Sequence, residues 1–429
     1  MKILLVHQNF PGQYKHLVRA FAAAPGAQVI AMGDDKNLAS RPAPPGIERV
    51  TYKPARETTR GVHPYLRQIE AAVLRGQAAA RKALELRKRG FVPDLICVHA
   101  AWGEALYLRD IFPRSPMLAY LEFYYRGQGA DMGFDAEFPT SLDDLLRIRT
   151  WNMTHQSTFF SADWGVTPTQ WQAQAFPPEF RQRLSVIPEG IDTEALRPDP
   201  GARVQLPGGR SFGPDDELVT FISRGLEPYR GFHVFMRALP ELMARRPRAQ
   251  VVVVGGDTPS YGRAPAGAAN WREKLLAEAG PRIDTGRLHF TGKIPYPALI
   301  SLLQSSRAHV YLTYPFVLSW SLLEAMAVGA PIAASATAPV NEVLQHGSNG
   351  LLFDFFDGEA LVESVCRLLD DADLRQTLGS AARRSVVEGY DLRSRCLPAQ
   401  LELAQAMLRG QRTRGALPAT PLPAAAGER

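Results

Sequence analysis

The chain has 429 residues, 45% of them hydrophobic and 21% charged, with a net charge of +6 and a pI near 9.2. That length accommodates two domains of ordinary size, and the composition is that of a soluble globular protein. The small positive excess suits an anionic substrate or an acidic membrane surface, and no Lys/Arg block or binding signature calls for nucleic acid.

No run of about 18 apolar residues occurs, so a spanning helix is not expected. The opening MKILLVHQNF reads as a strand without a cleavage signal. Cys97, Cys366 and Cys396 lie far apart, which leaves no metal or redox spacing, and they are expected to be reduced core residues of a cytoplasmic protein. Asn152-Met153-Thr154 matches a glycosylation sequon, and without a secretory signal it is expected to stay unmodified.

In chain order, Ile3 to Val6 reads as a buried strand, His7 to Gln13 as a turn with Pro11 and Gly12, Leu17 to Phe21 as helix and Gln28 to Met32 as the next strand. This βαβ opening has one turn Gly where a dinucleotide fingerprint needs three, which disfavours a nicotinamide or flavin cofactor. Arg41 to Gly46 is a loop, Glu48 to Tyr52 a strand and Pro64 to about Arg89 a long helix with a basic end, Arg81, Lys82, Arg87, Lys88 and Arg89. Those cations read either as a solvated helix end or as a contact for anionic lipid. Strands follow at Leu95 to Val98 and Met117 to Leu121, the second running into a Gly-, aromatic- and carboxylate-rich loop, Glu122 to Pro139, of a length usually kept for function. Leu142 to Thr158 reads as helix, and Trp164 to Val166 and Leu184 to Ile187 as strands.

The Pro- and Gly-rich stretch 197–214 reads as a linker between an amino-terminal domain, 1–196, and a carboxyl-terminal domain, 215–390. Beyond it the alternation restarts with strand Val219 to Ser223, helix Gly231 to Arg245, strand Val251 to Val254 and a Gly/Pro-rich insertion from Asp257 to Ala269. Leu288 to Thr291 is a strand, and VYLTYPFVLSWSLLEAMAVGAPIAAS, Val310 to Ser335, is strand, turn, helix, strand. Leu351 to Phe353 is expected to complete the sheet, with helices through Leu361 to Leu369 and Asp373 to Val387. A last helix, within 391–410, is expected to cross back to the amino-terminal domain, and a Pro/Ala-rich tail, 411–429, to be disordered.

Four clusters fall at strand ends, where α/β sheets bind ligands. The turn Tyr314 to Ser319 opens a helix whose free N–H groups favour an anion, and Glu324 lies about one turn into it. In SRGLEPYRG, Arg224 and Arg230 follow a strand, and two forked guanidinium groups suit a pyrophosphate. Gly12 would allow close backbone approach in the first turn, or simply make that turn tight. His99 ends a strand beside Trp102, Gly103 and Glu104, as a functional group or as a satisfied structural one. There is no nucleophile elbow, Walker loop or His/Cys metal spacing.

The order VIPEGID, SRGLEPYRGF, VVVVGGD, HFTGKI and SWSLLEAMAVGAPI resembles the retaining glycosyltransferases of family 4 over nearly the whole chain, to about Leu408. The resemblance implies an α/β GT-B fold, two doubly wound Rossmann-like domains facing a central cleft. It also implies that Glu324 holds the ribose of a nucleotide-sugar donor, that Arg224 and Arg230 neutralise its diphosphate, and that Gly292, Lys293 and Ile294 lie by the base. Backbone groups at Leu318 and Ser319 would meet the phosphates, Gly12 would lie by the diphosphate and His99 by the transferred sugar. Acceptor choice would fall to Trp102, Glu104, Glu122, Tyr124 and Asp131.

Two departures stand out. The family's Glu-x(7)-Glu motif has Phe316 at its first position, and the second basic residue is Arg230, one position further than the usual Lys. The expected activity is retaining, metal-independent transfer from a UDP- or GDP-linked sugar to a glycan, lipid-linked or small-molecule acceptor, with no cofactor. In it, preorganised cations stabilise the leaving diphosphate and no residue need act as a covalent nucleophile. The enzyme is expected to be cytoplasmic, peripheral at the inner face of an anionic membrane. The alternatives are a sugar-nucleotide-binding or scaffold protein without catalysis, and an epimerase or phosphorylase on the same fold.

Overall fold

A computed structural model describes residues 1–39 and 45–410. Part of the loop expected at Arg41 to Gly46, and the tail from Gln411, lie outside them. The described residues form two compact units: Met1–Gly190 with Leu392 to Gly410, and Ile191–Asp391.

Unit 1 is a parallel seven-stranded sheet of β1 (Lys2–Val6), β2 (Gln28–Asp34), β3 (Glu48–Tyr52), β4 (Leu95–His99), β5 (Met117–Tyr120), β6 (Trp164–Thr167) and β7 (Leu184–Val186), in the order β3-β2-β1-β4-β5-β6-β7. Strands covered on both faces must be apolar throughout, and Ile3 to Val6 and Leu95 to Val98 are fully buried. Each such side chain contributes about 1.5–3 kcal/mol by leaving water. The strand order reverses between β1 and β4, which pair through Val6 and Val98, so the loops after these two strands diverge and leave room for side chains.

The helices Arg67–Lys88 and Leu142–Ser161 flank the sheet. The second begins with Ser141, whose hydroxyl accepts from the Asp144 N–H while the Asp144 carboxylate accepts from the Ser141 N–H, a reciprocal cap. The carboxyl-terminal helix Leu397–Leu408 belongs to this unit, where Leu403, Ala404 and Met407 join the core of Leu17, Phe21 and Leu118. All three cysteines are buried and unbridged. Asn152 is buried, and its side-chain amide both accepts from the Tyr125 N–H and donates to the Tyr125 carbonyl, so the sequon is a structural clip.

Unit 2 opens differently from expectation. Residues 197–214 carry an antiparallel hairpin, β8 (Val204–Gln205) and β9 (Ser211–Phe212), instead of a linker. Val204, Leu206 and Phe212 enter the same core as Leu302, Leu303 and Ile332. The Pro and Gly residues there make the hairpin turn, where Gly208 and Gly209 both take positive φ. The main sheet has β10 (Leu218–Gly225), β11 (Gln250–Gly256), β12 (Leu288–Gly292), β13 (Ala308–Tyr311), β14 (Ile332–Ser335) and β15 (Leu351–Phe353), in the order β12-β11-β10-β13-β14-β15. Its reversal lies between β10 and β13, the strands that precede the SRGLEPYRG and Tyr314 to Ser319 loops. Among the described residues no helix is long and apolar enough to cross a membrane.

Candidate functional site

In unit 2 the two loops at the reversal are locked together. Gly231 starts the helix Phe232–Arg245 at φ +66, and a Cβ there would stand 2.3 Å from Leu312 Cβ, so only glycine lets the helix press on the end of β13. The Tyr314 N–H donates to the Tyr229 carbonyl at 3.0 Å. Arg230 is 6% exposed; its Nη1 donates to Thr313 Oγ1 (2.8 Å) and the Val317 carbonyl (3.0 Å), and its guanidinium lies over the rings of Tyr261 and Phe316 at 5.3 and 5.9 Å. It forms no ion pair with any described carboxylate. A buried cation without a counter-charge is costly, and an anionic ligand would relieve that cost.

Arg224, at the end of β10, is exposed and has neither a hydrogen bond nor an ion pair among the described residues. Lys293 is exposed and equally unpaired, and its stem crosses the end of β11, with Cε 3.3 Å from where a Gly256 Cβ would stand. The ends of β10, β11 and β12 thus gather cations that the protein itself does not neutralise. Gly292 has open space around it, and Ile294 packs on the core below.

Glu324 is half-buried on the helix Trp320–Ala327 and accepts a 2.8 Å hydrogen bond from Tyr296 Oη. Burial, then the nearby Glu324 charge, raise the Tyr296 phenol above its usual range. Ser319 caps this helix by accepting from the Ser321 N–H, and its own N–H donates to Tyr311 Oη at 3.0 Å. That N–H is therefore already engaged, and Leu318 is buried in the core. Phe316, 7% exposed, packs edge-on against Tyr261 and Tyr229, with ring centroids at 4.9 and 5.5 Å.

Sequence reasoning passed over Glu227, inside the same SRGLEPYRG motif. It is fully buried, and its carboxylate accepts from the N–H groups of Ser260, Tyr261 and Gly262. This fastens the Gly/Pro-rich insertion beside Arg230 and so places Tyr261 on the guanidinium. A carboxylate in a strand-to-helix loop was the available signal; its backbone partners, more than 30 residues on, were not legible.

In unit 1, His7 and His99 meet at the ends of β1 and β4 with ring centroids 5.1 Å apart. Each tautomer is fixed by a backbone donor: Asn9 N–H to His7 Nδ1 at 2.9 Å, and Ala101 N–H to His99 Nδ1 at 3.2 Å. The Nε2 protons therefore face outward from those contacts, His7 toward Gln13 Oε1 (2.7 Å) and His99 toward Glu122 Oε2 (3.5 Å). Gln13 Nε2 donates to Glu122 Oε1 at 3.1 Å, so a hydrogen-bonded chain His7–Gln13–Glu122 ends beside His99, whose buried Nε2 lies 3.5 Å from the carboxylate without a hydrogen bond. Burial pushes the Glu122 carboxyl up, but the neighbouring His99 and Gln13 hold it below its ordinary value. Trp102 stacks on His99 at 3.9 Å. Gly12, at φ +48, lies against His7, where a Cβ would come within 2.4 Å of the imidazole. Buried His155 is pushed down to about 4 by burial and then by the His99 charge.

The structure therefore gathers Gly12, His99, Trp102 and Glu122, together with His7 and Gln13, which sequence reasoning did not single out. Asp131 is buried. Two expected acceptor-side residues face elsewhere. Glu104 is 1% exposed and accepts a 2.6 Å hydrogen bond from Tyr52, beneath the site. Tyr124 is half-buried and packs on the core against Phe176 and Phe180, and its hydroxyl takes a hydrogen bond from Gln156. Both sit near a strand end, but the direction of the side chain, which proximity in sequence does not reveal, puts them inside.

Two parallel sheets, each with one reversal of strand order and one with an unneutralised cationic loop pair, are the architecture of the GT-B fold. Comparison with known proteins agrees. The sequence matches the family described as Glycosyl transferase family 4 group over residues 25–196, and Glycosyl transferases group 1 over residues 210–385. A GDP-mannose-dependent alpha-(1-6)-phosphatidylinositol monomannoside mannosyltransferase of Mycobacterium tuberculosis is 29% identical over 317 residues, 71% of this chain and 74% of the relative. A phosphatidyl-myo-inositol mannosyltransferase of Mycolicibacterium smegmatis is 29% identical over 65% of this chain and 66% of its own. Among solved structures, sucrose-phosphate synthase from Thermosynechococcus elongatus superposes with a TM-score of 0.68 at 17% identity, over 96% of this chain and 100% of that one. Anabaena HepE in complex with UDP and glucose superposes with a TM-score of 0.64 at 18% identity, over 95% and 100%. The chain belongs to the group 1 glycosyl transferases of the family 4 type.

Proposed function

We propose that the protein transfers a sugar, with retention and without a metal ion, from a nucleoside diphosphate donor to a glycan, lipid-linked or small-molecule acceptor. The observation that carries this is Arg230, buried without a carboxylate partner beside the unpaired Arg224. A diphosphate would neutralise both, and Lys293 extends the same positive field toward the base. These groups stabilise the charge that develops on the leaving diphosphate, the contribution a metal makes elsewhere. Glu324 is read as the ribose ligand, Leu318 and Ser319 as the helix start nearest the phosphates, and Phe316 as the residue beside the donor sugar. Retention follows if a departing phosphate oxygen takes the proton of an acceptor hydroxyl arriving on the same face.

Unit 1 is read as the acceptor side, around Trp102 and Glu122, with His99 beside the transferred sugar. His99 Nδ1 is occupied by a backbone N–H, which favours a positioning role for its ring over proton transfer through that atom. The relatives' names, with GDP-mannose and phosphatidylinositol monomannoside, support a nucleotide donor and a lipid-linked acceptor. Peripheral contact with the inner face of an anionic membrane is part of the same reading.

The test is a thermal-shift panel of UDP-, GDP- and ADP-sugars, followed by donor turnover in the presence of a chelator. One nucleotide class should raise the melting point, turnover should persist without metal, and the product should keep the donor's anomeric configuration. Arg224→Ala should lower turnover at least roughly tenfold by loss of a charge-assisted contact. Unchanged turnover in that variant would overturn the reading. A sugar-nucleotide binder without catalysis, favoured by Phe316 alone, would instead show saturable binding and no released diphosphate.

A further inference from the structure

Of the helices around the unit 1 sheet, Leu142–Ser161 exposes a stripe of large apolar side chains beside the polar Asp143, Thr150 and Ser157. Its inward residues Ile148, Asn152, His155 and Phe159 are buried, as expected of an amphipathic helix. The outer face, which should then be solvated, carries Leu142 (70% exposed), Leu146 (46%), Met153 (52%) and Phe160 (74%). With the exposed Arg149 these positions lie at spacings of four, three, four and seven residues, so they form one stripe along the 20-residue helix, about 30 Å long. A single exposed leucine is unremarkable, but four large apolar side chains in line mark a docking surface.

The charges around the stripe choose its occupant. Arg149 lies within it, exposed and with no hydrogen bond or ion pair among the described residues. Tyr65 donates its hydroxyl to Asp143, and the two residues that follow it, Leu66 and Arg67, are exposed, Arg67 with no hydrogen bond or ion pair of its side chain among the described residues. The carboxylates of this helix are engaged, Asp143 by Tyr65 and Asp144 by the helix cap and Arg147. Apolar side chains with free arginines on a cylindrical face fit the boundary of an anionic bilayer, where the apolar groups enter the acyl region and the arginines meet headgroup phosphates.

A second copy of the chain fits poorly. Pairing two stripes in parallel sets Arg149 against Arg149, and antiparallel pairing about the stripe's midpoint brings the two within about one helical turn. At the basic end of the helix Arg67–Lys88, Lys82 pairs with Glu85, Arg89 with Glu48, and Arg87 donates to the Ile111 carbonyl; Arg81 and Lys88 are exposed and unpaired among the described residues, but that helix exposes no large apolar side chain to insert beside them, which makes it the weaker membrane contact.

We infer that unit 1 lies on an anionic phospholipid surface through the outer face of Leu142–Ser161, with Leu146, Met153 and Phe160 inserted and Arg149 at the headgroups. This names the surface for the membrane contact in the proposed function and rests on that reading; the transfer chemistry does not enter it.

Co-sedimentation of the full chain with phosphatidylcholine vesicles, with or without phosphatidylglycerol, tests the inference. Binding should require phosphatidylglycerol and weaken with salt. The double variant Leu146→Glu, Phe160→Glu should reduce it at least about tenfold, since two inserted apolar groups are lost. Arg149→Glu should reduce it roughly fivefold or more. All three positions are exposed, so melting temperature and donor-induced thermal shift should match the wild type. Equal vesicle binding by the double variant, or none by the wild type, overturns the inference. A dimer in light scattering that the double variant dissolves overturns it in favour of a second copy. Donor binding is read in the same samples: its absence with vesicle binding intact would remove the transferase reading and leave the docking surface standing.

Discussion

The strand ends of the two units are built on the same topology, a parallel sheet with one reversal, yet they manage charge in opposite ways. At the unit 1 reversal the carboxylate of Glu122 is enclosed by Gln13 and His99, and both histidine rings have their Nδ1 atoms satisfied by backbone. At the unit 2 reversal Arg230 and Arg224, and Lys293 after the neighbouring β12, have no carboxylate partner among the described residues. The first arrangement supplies its own counter-groups, with only the buried His99 Nε2 short of a hydrogen bond, whereas the second is electrostatically incomplete until an anion arrives. The fold dictates neither outcome; the loops after the strands do. A site that tolerates an unpaired buried cation gives up stability for binding, so stability and function should separate there and coincide in unit 1.

Replacing Arg230 by Met tests this most sharply. Met keeps the apolar contact with Tyr261 and Phe316 and removes the uncompensated charge. Nucleotide affinity measured by calorimetry should fall by about 2–4 kcal/mol, roughly thirtyfold to a thousandfold, as expected for a desolvated charge-assisted contact. Unfolding of unit 2 in urea should stay within about 1 kcal/mol of the wild type, because the lost hydrogen bonds are offset by the charge no longer buried. A large loss of stability with intact affinity would mean that Arg230 is structural, and the contrast between the units would disappear.

The next effect should be common to both units. Burial pushes His155 in unit 1 and His309 in unit 2 down to about 4, from an ordinary 6.5. The folded protein resists a proton that the unfolded chain accepts, so the unfolded state binds more protons as the pH falls from 6.5 toward 4. Stability is therefore full above that window and declines through it, by about 2 kcal/mol per histidine at pH 5. Hydrogen exchange resolved by unit should show both declining together. His155→Gln should flatten unit 1 and His309→Asn unit 2. If only one unit responds, the interiors differ in more than their strand-end charges.

What could be read from the sequence follows the physics of each element. Two-face burial demands unbroken apolar runs, so strands such as Val251 to Val254 were plain, and fixed backbone geometry put Arg224 and Arg230 near a strand end. Pro and Gly in 197–214 punctuate the chain without saying whether it turns within a hairpin or leaves a domain, and here Leu206 and Phe212 return to the core. Side-chain direction was hidden as well. Glu104 and Tyr124 stand beside true strand-end residues and point into the interior, whereas Gln13, which links His7 to Glu122 over 109 residues of sequence, carries no local signature. Glu227 was missed for the same reason, its partners being main-chain groups of a distant turn.

The smallest expected effect probes the satisfied site itself. In Glu122→Gln one amide oxygen can still accept from Gln13 or from the His99 Nε2–H, but the amide NH2 then faces the other donor. One contact becomes a donor–donor clash, which should cost unit 1 about 1–2 kcal/mol. Nucleotide affinity should not change. The carboxylate's contribution in the wild type is fully present above the ordinary value of 4.5 and is lost as pH falls through its depressed folded value. Wild type and variant should therefore differ at neutral pH and converge in strong acid, after the histidines have already titrated. Hydrogen exchange in the His7 to Gln13 turn, followed against pH, reads this directly. A variant that weakens nucleotide binding as much as Arg230→Met would show that Glu122 and the cations serve one charge system, and that treating the two strand ends as opposites is wrong.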